Sequence, residues 1–248
     1  DLFQPWEARA PQAPFFSLVD FNGPKTGQGT GRAHAWAKAT GNEVDPASLS
    51  LPPYWVDTPE VRQAFARYYE NGRFFWDERA ATLEEQVLLP IQDAVEMGMT
   101  LDELEVRLEA TDFYPDLFAD AFGTPEVTSD RIAQALSQFL RSIVASNSPY
   151  DAARGAEGAR IARPLAGLTA QENEGLQLFF GRGQCNLCHT GDLMMGTGPL
   201  NNGLDSVMTD AGASDGRFKV VSLRNIGLTA PYMHDGRFET LDDVVQHY

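Results

Sequence analysis

Cys185-Asn186-Leu187-Cys188-His189 is the stretch from which the rest of this chain can be read. It holds the only two cysteines in 248 residues, and a histidine follows the second at once. C-x-x-C-H is the pattern of covalent c-type haem attachment. Two thiols add across the haem vinyl groups, and the adjacent imidazole becomes the proximal iron ligand. A thioredoxin-like C-x-x-C would want a βαβ context, which the flanking sequence lacks. A structural zinc site would need more ligands at zinc spacing, and only His34, His234 and His247 remain among the histidines. A chance pair of buried thiols is the third alternative.

The helix leading into this motif is announced by Thr169 and Glu172, spaced as a capping box, and by Leu176, Phe179 and Phe180. Beyond it, residues 190–216 are rich in Gly, Asn and Asp and read as a long loop around the haem. Thr240-Leu241-Asp242-Asp243 opens a last helix that the chain end at Tyr248 interrupts. Upstream, residues 147–167 carry Asn147, Pro149, Pro164 and three glycines and read as a connection.

The first half shows more helix punctuation. Thr58-Pro59-Glu60 begins a helix that Gly72 closes. Thr82 to Glu85 starts another, with Pro90 as its stop. Thr100 with Glu103 starts a third, with Leu101, Leu104 and Leu108 as its buried stripe. The clearest runs from about Ser129 to Ala145, where Ile132, Ala135, Leu136, Phe139, Leu140 and Ile143 form one apolar face. Residues 1–57, rich in Pro and Gly and containing His34 and Trp36, are loop-rich. No strand pattern and no repeat emerges. The expected fold is mostly α.

Thirty-five acidic against nineteen basic residues give a net charge of −16. That makes nucleic acid and an anionic membrane surface unlikely partners. No stretch reaches the roughly eighteen apolar residues of a membrane span. Covalent haem attachment implies a bacterial periplasmic setting. The chain opens Asp1-Leu2-Phe3 with no basic n-region or apolar h-region, so any signal peptide is missing or removed.

A resemblance rests on several runs. Phe218 to Phe238 (FKVVSLRNIGLTAPYMHDGRF), Phe75-Trp76-Asp77-Glu78-Arg79-Ala80, Leu83 to Gln86, Pro90-Ile91-Gln92 and Val95-Glu96-Met97-Gly98 resemble the bacterial di-haem cytochrome c peroxidases and the MauG-type oxidases. With the haem motif, the resemblance spans about residues 66 to 248. It implies two cytochrome c-like domains, the C-terminal one carrying the haem at Cys185, Cys188 and His189, in a chain truncated at both ends and divided as 1–57 (loop-rich, unmatched), 58–155 (the rest of an N-terminal domain) and 156–248 (the C-terminal haem domain). The C-terminal haem accepts and relays electrons, and the N-terminal one reacts with hydrogen peroxide. Cys185, Cys188 and His189 match the C-terminal attachment site, and Trp76 matches a tryptophan lying between the haems. Glu96 matches the acid beside the peroxidatic haem and Gln86 its polar neighbour; Pro90 lies beside the same pocket. The chemistry needs such an acid, because one peroxide oxygen must lose a proton and the other gain one. Val95 and Met97 would give that carboxyl partly apolar surroundings and raise its pKa. Each residue also has a plain reading: Trp76 as packing in an aromatic run, Glu96 as a solvated acid.

For the distal ligand of the second haem, Met194, Met195, Met208, Met233, His234, His247 and Tyr248 are candidates. Tyr248 falls where the peroxidases have methionine and the MauG-type oxidases tyrosine; the Met194-Met195 pair is its main competitor. A phenolate would lower the haem potential where a thioether would raise it. The family's interdomain calcium implies backbone carbonyls at Thr229 and Pro231, although Val61 stands where its asparagine is expected. The family's first C-x-x-C-H is absent. Trp76, Gln86 and Glu96 together point to a second haem c attached upstream of Asp1; a mono-haem chain is the alternative.

Three functions follow. The first is a periplasmic oxidoreductase reducing hydrogen peroxide with electrons from a small cytochrome c or cupredoxin; the resemblance also brings the homodimer common in the family. The second is MauG-type peroxide-dependent oxidation of a protein or organic substrate. The third is a mono-haem electron-transfer domain without catalysis.

Overall fold

The computed structural model describes residues 59–146, 148–157 and 164–248. The readings made of His34, Trp36, Thr58 and the rest of residues 1–57 lie outside them. Among the described residues the structure is helical, with isolated β-bridges and no strand. Its helices are α1 (Pro59–Asn71), α2 (Leu83–Gln92), α3 (Leu101–Glu109), α4 (Tyr114–Phe122), α5 (Ser129–Ser142), α6 (Pro149–Glu157), α7 (Ala170–Phe180) and α8 (Leu241–His247).

Met99–Ile143, holding α3 to α5, belongs to one compact unit; Val56–Gly98 with Val144–Tyr248 forms the other. In the first, the Thr100 hydroxyl accepts from the Glu103 N–H and caps α3. Pro115 sits in the first turn of α4, and Gly123, at φ +84°, ends it in the left-handed region that favours glycine. Thr128 caps α5, and the Glu105 carboxylate accepts from the Ser129 N–H at its start. Phe118, Val127 and Ile132 are the core, with Leu104, Leu108, Tyr114 and Phe122 packed against them.

Two expectations change here. Helix α5 stops at Ser142, with Ile143 as its cap. Its buried side is Ile132, Ala133 and Ser137, while Leu136 and Ile143 are 37% and 52% exposed. The apolar periodicity located the helix but placed its inward edge too far round: the buried side runs through Ala133 and Ser137 rather than Leu136 and Ile143.

In the second unit, α1 ends before Gly72, as expected. Phe74 and Ala80, both buried, pair as an antiparallel bridge that closes a tight turn. The Thr82 hydroxyl caps α2 by accepting from the Glu85 N–H, while Glu85 reaches back to the N–H of Ala81. Pro90 does not stop this helix, which runs on to Gln92. After it, the Asp93 side chain accepts from the Val95 N–H, and the Asp93 carbonyl from those of Glu96 and Gly98.

Residues 147–167, expected as a connection, contain α6. Ser148 and Asp151 cap it reciprocally: the serine hydroxyl accepts from the Asp151 N–H, and the aspartate accepts from Ser148. The full capping box expected at Thr169 and Glu172 is present on α7. Thr240 caps α8 in the expected place.

Candidate haem-binding site

Helix α7 delivers the chain to a 3-10 turn over Cys185–Leu187. Gln184 enters it with φ +55°, and the N–H groups of Cys188 and His189 both donate to the Cys185 carbonyl. Both thiols are free and exposed. The His189 ring is half-buried, and its Nδ1 lies 3.0 Å from the Met194 carbonyl. A carbonyl only accepts, so this hydrogen bond needs the proton on Nδ1, and the neutral ring in that tautomer has its lone pair on Nε2. Two reachable thiols with two residues between them, beside an imidazole whose Nε2 is not the hydrogen-bonded nitrogen, are what a covalently bound haem requires. Among the described residues no three His, Cys, Asp or Glu side chains converge on a metal ion, as a structural zinc site would need.

Met194 also borders a cleft of about 400 Å³, along with Tyr150, Leu168, Leu176, Phe179 and Phe180. This lining is mainly apolar and its volume suits a cofactor-sized group. Burial pushes the Tyr150 phenol above its ordinary pKa, although Arg154 and Arg224 pull the other way. Leu176, Phe179 and Phe180 are the α7 residues singled out from the sequence.

Trp76 sits in the turn closed by Phe74 and Ala80 and is 39% exposed. Its carbonyl accepts from the Lys219 N–H at 2.8 Å. The Lys219 ammonium donates to the Tyr68 hydroxyl at 2.9 Å and to the Arg73 carbonyl, and it lies over the Tyr68 and Phe74 rings. Burial pushes the Tyr68 phenol up to about 12 and lowers the Lys219 pKa.

Gln86 is half-buried on α2, and Glu96 is exposed in the turn after it. Val95 and Met97, expected to shield Glu96, are 94% and 58% exposed. The structure therefore gives Glu96 no apolar surroundings from those neighbours. No hydrogen bond among the described residues joins the side chains of Trp76, Gln86 and Glu96.

Tyr248 is exposed, and its hydroxyl lies 3.2 Å from the Asn202 amide nitrogen. The same nitrogen is 3.8 Å from the Met233 sulfur, and the Asn202 carbonyl lies 3.2 Å from His247 Nε2. Three of the candidate distal ligands thus meet at one asparagine that the sequence did not single out. Of the others, His234 stacks on Phe218 with ring centroids 3.6 Å apart, and Met195 bridges to Thr190.

Thr229 and Pro231 are exposed, and the peptide between Ala230 and Pro231 is cis. Val61 is 2% exposed and its side chain has no oxygen to offer, so the calcium donor set implied by the resemblance is incomplete.

Asp151, Ser222 and Arg224 were also missed. Arg224 lies inside the run that carried the resemblance, and Ser148-Pro149 with Asp151 at the third helical position was a readable cap signal.

The sequence pattern of the di-haem cytochrome c peroxidase family matches residues 27–158, just over half of the chain. The chain belongs to this family. Residues 27–57, expected to be unmatched, are thus part of the match. Among relatives, a cytochrome c551 peroxidase of Nitrosomonas europaea is 36% identical over 215 residues, covering 82% of this chain and 62% of the relative. The methylamine utilization protein MauG of Methylophilus methylotrophus is 34% identical over 184 residues, covering 70% and 52% respectively. A solved MauG-like protein associated with microbial copper homeostasis superposes with a TM-score of 0.61 at 30% identity, over 71% of this chain and 58% of that one. The chain therefore spans between half and two thirds of the length of these family members.

Proposed function

We propose that this chain is part of a periplasmic c-type haem oxidoreductase that reduces hydrogen peroxide with electrons relayed through a haem held by Cys185, Cys188 and His189. The observation that carries this reading is the 3-10 turn: two exposed thiols beside an imidazole whose Nδ1 proton is committed to Met194, leaving Nε2 for iron. Family membership and the peroxidases among its relatives support it.

When bound, the haem supplies one-electron redox chemistry. The sulfurs of Cys185 and Cys188 would anchor it as thioethers, and His189 would ligate and orient it. Trp76, held through its carbonyl by Lys219, is the proposed relay toward a second haem c attached upstream. There the Glu96 carboxylate would take the proton from one peroxide oxygen and return it to the other, with the Gln86 amide orienting the substrate. The domain division at residues 155 and 156 and the small cytochrome c or cupredoxin donor belong to the same proposal. Calcium at Thr229 and Pro231 has only backbone carbonyls in its favour.

Peroxide-dependent oxidation of a donor by the exported protein tests this. Reduced small cytochrome c is oxidised on adding peroxide, and Glu96→Gln lowers turnover by about 10²–10⁴-fold. Full haem content with no turnover overturns the peroxidase reading.

Tyr248 favours the second reading, MauG-type oxidation of a protein or organic substrate. Its hydroxyl lies 3.2 Å from the Asn202 amide nitrogen, beside two other candidate ligands, Met233 and His247. Loss of a phenolate charge-transfer band in Tyr248→Phe supports ligation, and an unchanged spectrum rules it out.

A further inference from the structure

Three consecutive carbonyls soon after His189 are each held from one short segment. The Asp192 carbonyl accepts from Nε–H of Arg224 at 2.7 Å, and the Leu193 carbonyl from the Ser222 hydroxyl. The Met194 carbonyl accepts from the Leu223 N–H at 3.3 Å, in addition to the His189 Nδ1–H. The acceptor that fixes the imidazole is therefore itself fixed by Ser222-Leu223-Arg224.

Behind that segment stands a buried ion pair. The side chains of Arg224 and Asp151 are 6% and 3% exposed, and two guanidinium nitrogens donate to the two carboxylate oxygens at 2.8 and 2.7 Å. One of them also donates to the Ala145 carbonyl at 2.7 Å. Counting Nε, four of the five guanidinium donors are used. Arg154 adds an ion pair to the Asp192 side chain. A buried ion pair contributes little net stability compared with well-packed apolar groups. What the planar fork does supply is geometry: it ties the start of α6 to the carbonyl at residue 192, a task that a lysine ammonium cannot perform at four points.

We infer that Asp151, Arg224 and Ser222 are positioning residues for His189, holding the Nδ1 hydrogen bond and with it the orientation and donor strength of the imidazole toward haem iron. This rests on the reading of His189 as a haem ligand. An Nδ1–H bonded to a carbonyl makes the ring a stronger donor. A stronger donor stabilises ferric over ferrous iron and so lowers the potential. Loosening the 192–194 carbonyls weakens that bond and raises it.

The test is a spectroelectrochemical titration of the haem-loaded chain, which has a single C-x-x-C-H motif, after its haem content has been fixed as the pyridine haemochrome. Arg224→Lys and Asp151→Asn raise the midpoint potential. Ser222→Ala, which removes one hydroxyl and leaves the ion pair, raises it by less. A merely structural ion pair would lower the melting temperature and leave the potential alone. Unchanged potentials in all three variants at full haem content therefore overturn the assignment, whatever their melting temperatures. If the ion-pair variants do not fold, Ser222→Ala decides: a raised potential upholds the inference and an unchanged one overturns it. A wild-type chain without haem on Cys185 and Cys188 overturns the parent reading as well, so the two failures are distinct.

Discussion

The N–H of Lys219 donates to the carbonyl of Trp76, joining two residues far apart in the sequence backbone to backbone. The lysine then turns its ammonium onto the Tyr68 hydroxyl and the Arg73 carbonyl. The turn carrying the proposed relay is thus held from both sides by one residue. Lys219→Met keeps the backbone bond but leaves the half-buried Tyr68 hydroxyl and the exposed Arg73 carbonyl without their donor. Stability falls by about 1–3 kcal/mol, measured by urea unfolding.

Asp151 makes stability depend on acid. Burial pushes its carboxyl up, but hydrogen bonds from Arg224 and Ser148 and the guanidinium charge outweigh this and hold it below the usual carboxylate range. The folded pKa is depressed, so the stabilisation is fully present above the unfolded value near 3.8 and is lost as pH falls through the folded one. Wild type therefore loses more stability than Asp151→Asn as the pH is lowered from about 5 toward 2. Removing one buried partner also costs about 3–5 kcal/mol at neutral pH. Urea melts across that pH range check both statements.

Ser137 is fully buried on α5, and its hydroxyl has no hydrogen-bond partner among the described residues. An unsatisfied buried hydroxyl costs stability, and alanine fills nearly the same space without it. Ser137→Ala raises the unfolding free energy by about 1 kcal/mol.

Gly196 lies where the chain passes close to Val220. A Cβ there would meet the Val220 Cβ at 2.6 Å, while the Gly196 N–H donates to the Val220 carbonyl at 3.0 Å. Gly196→Ala forces these segments apart and lowers stability by about 1–3 kcal/mol. A variant as stable as wild type would contradict the close approach.

The sequence was most informative where local chemistry is self-contained. Thr82, Thr100, Thr169 and Thr240 each cap a helix where expected, because a cap needs only a hydroxyl and a nearby N–H. Cys185 to His189 could be read from spacing alone. Tertiary choices were less legible. Pro90 looked like a stop, yet α2 continues two residues beyond it. The inward edge of α5 includes the small buried residues Ala133 and Ser137, which hydrophobic periodicity weighs lightly or not at all.

The same division holds within the site. Each thiol and the imidazole were nameable, but the groups that hold them were not. Arg224 meets Asp151 across 73 residues of sequence, a pairing with no local signature. Asn202 gathers Met233, His247 and Tyr248 from the end of the chain, and nothing in its own neighbourhood marks it. Glu96 shows the reverse limit. Its apolar neighbours suggested shielding, and the structure leaves Val95 and Met97 in solvent.

The most direct measurement concerns the bond between sulfur and porphyrin. The exported protein is denatured and extracted to remove any loosely held haem, and the intact mass and haemochrome spectrum of the remaining polypeptide are recorded. The account predicts one haem retained through Cys185 and Cys188 and lost from this site when both are changed to alanine. A wild-type polypeptide with no haem at this site, and with both thiols open to alkylation, would contradict it.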